Sequence, residues 1–376
     1  MSSIPPTGQP TVLTPNNGSQ TVLSQNKKAD IGTLTLLSSM AQTNEKLMQQ
    51  KIKEVSAKYD YQQSTATTEA DNWKRVSRKI GDASSFLSET AGRVKQMLSQ
   101  VESLVSTVGK ADQSAAGDPT ANFDGYASAF DSMARGLIDK AENGRGGQIN
   151  LLGRGEPTYS YQVSTTVQTA WVQGGYLGSD YSITDDDGHR WVPDRSARLL
   201  RQYDKTSGEE IAAVSMRTGL DMISHDPDTG ALSFAIDADT AGRHEYTNAT
   251  ITRTGLKLMD AWLYDGLSTE AGRQAAQSDL TKVKATLKLE ASRYEGARIM
   301  AAFYESRANA HAADGKAEAS EAILERAKAV KKVQEDFSQQ FEATRNQVLG
   351  AVQIRQKFLE MFGTSNLTRS LLDFYA

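Results

Sequence analysis

The sequence predicts a mainly α fold with an inserted β domain: an elongated antiparallel helical coiled-coil rod from the N- and C-terminal segments, and a small hairpin-rich β domain between them. Three observations predict it. Apolar residues recur at three-to-four spacing on both sides of the middle of the chain. The middle itself changes to two-residue alternation rich in β-branched and aromatic residues. Composition agrees: 38% of the 376 residues are hydrophobic and the mean hydropathy is −0.51, which suits helices with one narrow apolar stripe better than a large compact core.

Residues 1–29 begin "MSSIPPTGQPTVLTPNNGSQ", too polar to offset the entropy of ordering. They read as a disordered leader. The functional reading is an uncleaved export signal; the plainer one is a loose terminus.

Residues 30–155 form the N-terminal helical segment. Leu36, Leu37, Met40, Leu47, Met48, Ile52 and Val55 mark one amphipathic stretch. Leu87, Val94, Leu98, Val101, Val105 and Val108 step by 7, 4, 3, 4 and 3, a seam for a partner helix. "GKADQSAAGDPTANFDG" interrupts the pattern, which resumes through Phe130, Met133, Leu137 and Ile138 and should end near Gly144. Residues 156–255 are the predicted β domain. "YDKTSGEEI" and "HDPDTGALSF" each set an Asp four residues before a Gly, as hairpins with the Gly at positive φ require.

Residues 256–376 return to helical spacing. Leu280, Val283, Leu287 and Tyr294 give one stripe; Ile323, Val330 and Phe337 repeat every seven and then shift into Phe341, Val348, Val352, Leu359 and Phe362. "NAHAADGKAE" around Gly315 is read as a turn between two antiparallel segments. The closing "FLEMFGTSNLTRSLLDFYA" carries Leu359, Phe362, Leu371 and Leu372 and needs an apolar surface to dock on, its own N-terminal helix or another copy.

Catalysis finds little support. The glycines around "GQINLLGRG" follow a helix and precede a strand, the reverse of a phosphate-binding loop, and no Gly-Lys-Ser/Thr follows them. The chain has no cysteine, and its four histidines lack ligand spacing. "ITDDDGHRW" lacks the closing Glu of a calcium loop and reads as a charged turn. No cofactor, metal or catalytic residue is expected. A net charge of −4 argues against nucleic acid as partner, and no apolar run is long enough for membrane insertion.

Two stretches resemble bacterial flagellin. "RVKQMLSQ", Arg93 to Gln100, is similar to the family's Arg-Val-basic-x-Leu-x-x-Gln segment in the second N-terminal helix. "FDSMARGLIDKAENGRGGQINLLGRG" is similar to the passage where a helix ends at a glycine and Asn-Leu-Leu follows, here Gly147, Ile149, Asn150, Leu151, Leu152 and Gly153. The first helix keeps only the family's Leu-Ser-Ser, in "LLSSMAQTNEKL". The resemblance implies a non-enzymatic, flagellin-like structural protein of the bacterial flagellum or cell surface, secreted unfolded by type III export. It also implies self-assembly into an extracellular filament serving motility. Its expected partners are other copies of the chain, an export chaperone and the secretion apparatus. The helix-seam and assembly set is then Leu87, Arg93, Val94, Leu98, Val101, Val105, Leu280, Val283, Leu287, Phe337, Leu359, Phe362, Leu371 and Leu372. A type III secreted coiled-coil effector or translocator-type binding protein stays open as the alternative.

Overall fold

The computed structural model describes residues 31–118, 120–142, 150–153, 158–226, 229–236 and 242–363. The leader, Gly147, Ile149, Leu371 and Leu372 lie outside them, as do the side chains of Leu359 and Phe362. The chain is mainly helical, with long N- and C-terminal helices and an antiparallel β region between. Helix α1 spans Ile31–Gly117, α2 Asp124–Glu142 and α3 Glu270–Gly363. Between α2 and α3 lie strands β1 (Thr158–Gln162), β2 (Thr169–Gln173), β3 (Ser179–Thr184), β4 (Arg190–Asp194), β5 (Leu199–Tyr203), β6 (Glu210–Ser215), β7 (Leu220–His225), β8 (Ala231–Ile236) and β9 (His244–Gly255), and a short 3-10 segment, Ala261–Leu267.

The turn expected around Gly315 does not form, because α3 runs through it unbroken. Gly315 is a single glycine in a stretch dominated by Ala, Lys and Glu, and its cost of about 1 kcal/mol is too small to stop a helix that most of its neighbours favour. By the same logic α1 joins two predicted stretches into one helix.

Two compact units divide the chain, one holding residues up to Glu69 and from Asp314, the other Ala70–Ala313. The divisions fall inside α1 and α3 and not where helix meets sheet.

In the unit Ala70–Ala313 two seven-residue series of α1 are buried: Ile80, Leu87, Val94, Val101 and Val108, and Val76, Ala83, Thr90, Met97, Leu104 and Ala111. Together they step by four and three, the seam of a helix pair. Val105 is not in it, a correction to the sequence reading, and Leu98 packs only at its edge. Val105 is 41% exposed and Leu98 half-buried, because each stands one residue, about 100° of turn, beyond Met97 and Leu104. On α3 the buried series is Leu280, Val283, Leu287, Tyr294, Ala301 and Ala308. The two helices run antiparallel. Trp73 stacks on His311 with ring centroids 4.5 Å apart, Ser77 bonds Asn309 at 2.7 Å, Glu102 pairs with Lys284 at 3.1 Å and Asp112 with Arg273 at 3.0 Å.

The strands form a β1-β2 hairpin and a seven-stranded sheet, β6-β5-β4-β3-β9-β8-β7, antiparallel throughout. β3 to β6 (Ser179–Ser215) and β7 to β9 (Leu220–Gly255) are two meanders joined where β9 pairs with β3. The turn chemistry matches its sequence signal. Gly208 (φ 68°) closes β5-β6 with its N–H on the Asp204 carbonyl, and Gly230 (φ 74°) closes β7-β8 on that of Asp226. One face of the sheet buries Trp191, Phe234 and Tyr246, with Trp191 edge-on to both other rings, a geometry that favours aromatic pairs.

The unit of residues 31–69 and 314–363 is built differently. Its buried hydrophobic residues are small, Ala66, Ala319 and Ala322. Arg326 pairs with Asp60 at 2.8 Å, and the Phe337 carbonyl accepts from Asn44 at 3.5 Å with the Phe337 ring half-buried.

Candidate functional site at the helix junction

A helix leaves its last four carbonyls without intrahelical partners. α2 ends at Glu142, and two side chains distant in sequence take up those carbonyls. The guanidinium of Arg93, on α1, donates to the Lys140 carbonyl through Nε at 3.1 Å and also through Nη2, which reaches the Ala141 carbonyl at 3.3 Å. Asn150 donates through Nδ2 to the carbonyls of Ala141 and Glu142 at 2.6 and 2.8 Å. Its Oδ1 accepts from Arg93 Nη1 at 3.2 Å and from the Leu152 N–H at 3.0 Å. A planar fork with several donors suits this role, as a lysine would not. Burial pulls the Arg93 pKa down, and the nearby Glu89 charge opposes it.

Leu151 and Leu152 are fully buried, and their backbone is fastened from two sides. The Leu151 carbonyl accepts from the Tyr294 hydroxyl at 3.0 Å, and the Leu152 carbonyl from the Leu177 N–H at 3.1 Å. The chain leaving β2 passes so close that a β-carbon on Gly174 would sit 2.1 Å from the Leu151 oxygen. Gly153 is nearly as confined: its β-carbon would lie 2.7 Å from Asn150 Nδ2. Burial, reinforced by Glu290, pushes the Tyr294 phenol well above its ordinary range, so it stays a hydrogen-bond donor.

Of the residues singled out from the sequence, Arg93, Asn150, Leu151, Leu152 and Gly153 meet at this junction. Leu87, Val94, Val101, Leu280, Val283 and Leu287 lie buried along the helix seam of the same unit, and Phe337 lies in the other unit. The arrangement recognises backbone carbonyls: it locks the end of α2 to α1 and the Leu-Leu loop to α3.

Two further places were not singled out as sites. Asp185, Asp187 and His189, in the "DDDGH" turn, offer ligand atoms within 4.8 Å of one another. Asp185 is already saturated, accepting from the Asp187 and His189 N–H groups, from Trp191 Nε1 at 2.9 Å and from Gln202 Nε2 at 2.8 Å. It is a turn anchor.

The other place is a cleft of about 440 Å³ in the unit Ala70–Ala313, between α2, the β4-β5 and β6-β7 turns and the 3-10 segment. At its base Asp260 accepts from the Tyr181 hydroxyl at 2.8 Å and from Arg195 Nε at 3.2 Å, and Tyr181 accepts from Trp262 Nε1 at 3.1 Å. Asp131 Oδ1 accepts from the Ala261 N–H at 2.6 Å. Burial, then the neighbouring Asp260, pushes the Asp131 carboxyl up to about 7. No local sequence signal marks this cleft, since its residues come from four segments far apart in the chain.

No family model matches the chain, and no curated relative does. Among solved structures, Xanthomonas campestris FlgL is similar to it at 9% identity, with 76% of this chain and 98% of that one covered and a TM-score of 0.20. A likeness of that size carries no argument about this chain. Among the described residues, no helix is long and apolar enough to cross a membrane.

Proposed function

We propose that the chain is a non-enzymatic, flagellin-like structural subunit that is exported and assembles with copies of itself outside the cell through its terminal helices. One observation carries the reading. In the unit of residues 31–69 and 314–363, Leu34, Leu36, Leu47, Ile323, Leu324 and Ile354 are exposed, while the hydrophobic side chains it buries are alanines. Burying apolar area stabilises by roughly 25 cal/mol per Å², so a helix pair that leaves such residues in water gains most by packing against further helices. The unit Ala70–Ala313, by contrast, buries large side chains along its helix seam, among them Leu87, Val94, Val101, Leu280 and Leu287. The residues fastening the end of α2, Arg93 and Asn150, are those carried by the sequence resemblance to flagellin, which also supports the reading.

The test is sedimentation velocity and negative-stain electron microscopy of the full chain across a concentration series. Beside it run a variant with Leu36→Ser, Leu47→Ser and Ile354→Ser, and a truncation after Gly363. The expected result is concentration-dependent filaments or large oligomers from the full chain, and discrete particles of unchanged helicity from both variants. Discrete particles from all three would overturn the proposal and favour a secreted coiled-coil binding protein.

A further inference from the structure

The cleft in the unit Ala70–Ala313 is independent of assembly. We propose that it binds a carboxylated sugar, a hydroxylated ring bearing one carboxylate.

Three features of the lining point to this chemistry. Arg135, Arg198 and Arg217 are exposed on the lining, and none has an ion-pair partner among the described residues. A guanidinium fork matches a carboxylate with two parallel hydrogen bonds. Arg195, by contrast, is spent on Asp260 and Asp180, so the free cations are the outer ones.

Asp131 supplies the second feature. Its Oδ1 is held by the Ala261 N–H, while its Oδ2 has no hydrogen-bond partner among the described residues and faces no buried mismatch. A carboxyl fixed by one oxygen and free at the other is an acceptor set for a ligand hydroxyl. It stands one helical turn from Arg135 on α2, so a ring could meet an acceptor and a cation together.

The third is apolar. Met216, Met222 and Trp262 line the cleft and offer a surface for the C–H face of a ring. A volume of about 440 Å³ accommodates a mono- or disaccharide and lies within the usual range of small-ligand sites, roughly 300 to 1,000 Å³. The backbone agrees with a functional role. Two of the non-glycine residues at positive φ, Arg198 (56°) and Asp265 (55°), line this cleft, and such conformations cost of order 1 kcal/mol each and gather at ligand sites.

The probe is D-glucuronate, titrated into the full chain by calorimetry and by saturation-transfer NMR, with D-glucose and inorganic phosphate in separate titrations. The expected result is saturable glucuronate binding at least about tenfold tighter than either control, as loss of one charged hydrogen bond implies. Arg135→Ala with Arg217→Ala should weaken it by about tenfold or more at unchanged melting temperature, since both side chains are exposed. Asp131→Asn should keep carboxylate binding but narrow the preference for glucuronate over acetate. Glucose binding as tightly as glucuronate, phosphate binding more tightly, no saturation, or indifference to the double arginine variant would each overturn the proposal.

Discussion

The Tyr294 hydroxyl on α3 donates to the carbonyl of Leu151 at 3.0 Å, and the same oxygen bars any β-carbon at Gly174. One backbone atom is thus approached by a helix 143 positions later in sequence and by the chain leaving β2. The loop starts at Asn150, the residue that together with Arg93 holds the end of α2.

Tyr294→Phe should cost about 1 to 3 kcal/mol, the penalty for leaving a buried carbonyl unpaired while the ring still fills its place. Chemical denaturation would measure it. Hydrogen exchange should accelerate at the Leu152 and Leu177 amides ahead of the rest of the sheet. A loss below about 0.5 kcal/mol would mean that the Leu151 oxygen finds water or another donor.

Arg93 and Asn150 share the carbonyls at the end of α2 and bond to one another, so they should not act independently. Arg93→Ala and Asn150→Ala should each destabilise by about 1 to 3 kcal/mol, and the double variant by less than their sum, with a coupling of at least about 0.5 kcal/mol. Arg93→Lys should fall nearer to Ala than to Arg, since a single ammonium cannot serve both carbonyls and Oδ1 in one plane. Additive losses in the cycle would argue that the two side chains hold separate structures.

Gly174 and Gly136 invite the same substitution with opposite signs. Gly174→Ala would place its β-carbon 2.1 Å from a backbone oxygen, which has no flexible end to yield, so this change should be among the most damaging in the unit. Gly136→Ala lies inside α2 with Gln100 Nε2 at an ordinary 3.7 Å, and should stabilise by about 0.5 to 1 kcal/mol through helix propensity. Melting temperatures of the two variants give the comparison directly.

What the sequence disclosed follows from how local each cause is. The turns at Gly208 and Gly230 were legible because an Asp and a Gly within five residues decide them. The helical and β periods were legible for the same reason. Half of the seam was legible, Leu87, Val94, Val101 and Val108; the other half was not, since Leu98 and Val105 are as apolar as Met97 and Leu104, and only the partner helix decides which side of the ridge is covered. Continuity through Gly315 was missed because a glycine was weighed as a stop without counting the helix formers around it. Arg93 and Asn150 were found by resemblance, although nothing in their spacing says that both bind the end of α2. The cleft could not be read at all, since Asp131, Arg195, Arg217 and Trp262 are far apart in sequence and converge only in the folded chain.

The seam phase is itself testable. Val101→Ala removes two methyl groups from a fully buried position and should cost about 2 kcal/mol or more, whereas Val105→Ala, 41% exposed, should change stability by less than about 0.5 kcal/mol. Equal losses would place the partner helix against the opposite ridge of α1.

Asp131 predicts a pH dependence whose sign runs against the usual carboxylate. Its folded-state pKa of about 7 stands above the ordinary 3.8, so between those values the folded chain keeps a proton that the unfolded chain has released. Stability from this group is therefore full below about pH 4 and is lost as pH rises through 7. The groups facing it are Asp260, which raises the pKa, and Arg195 and Arg198, which oppose the rise. Asp194, held at about 2 by its hydrogen bonds with Ser196 and Ala197, acts in the other direction and in another window, losing its contribution only as pH falls below 4. Asp131→Asn retains an uncharged acceptor for the Ala261 N–H and removes the titration. The difference in melting temperature between the Asp131→Asn variant and the native chain should be small at pH 4 and grow in favour of the variant up to pH 8. A difference that stays flat across that range would show that the Asp131 carboxyl ionises in the folded chain as it does in the unfolded one.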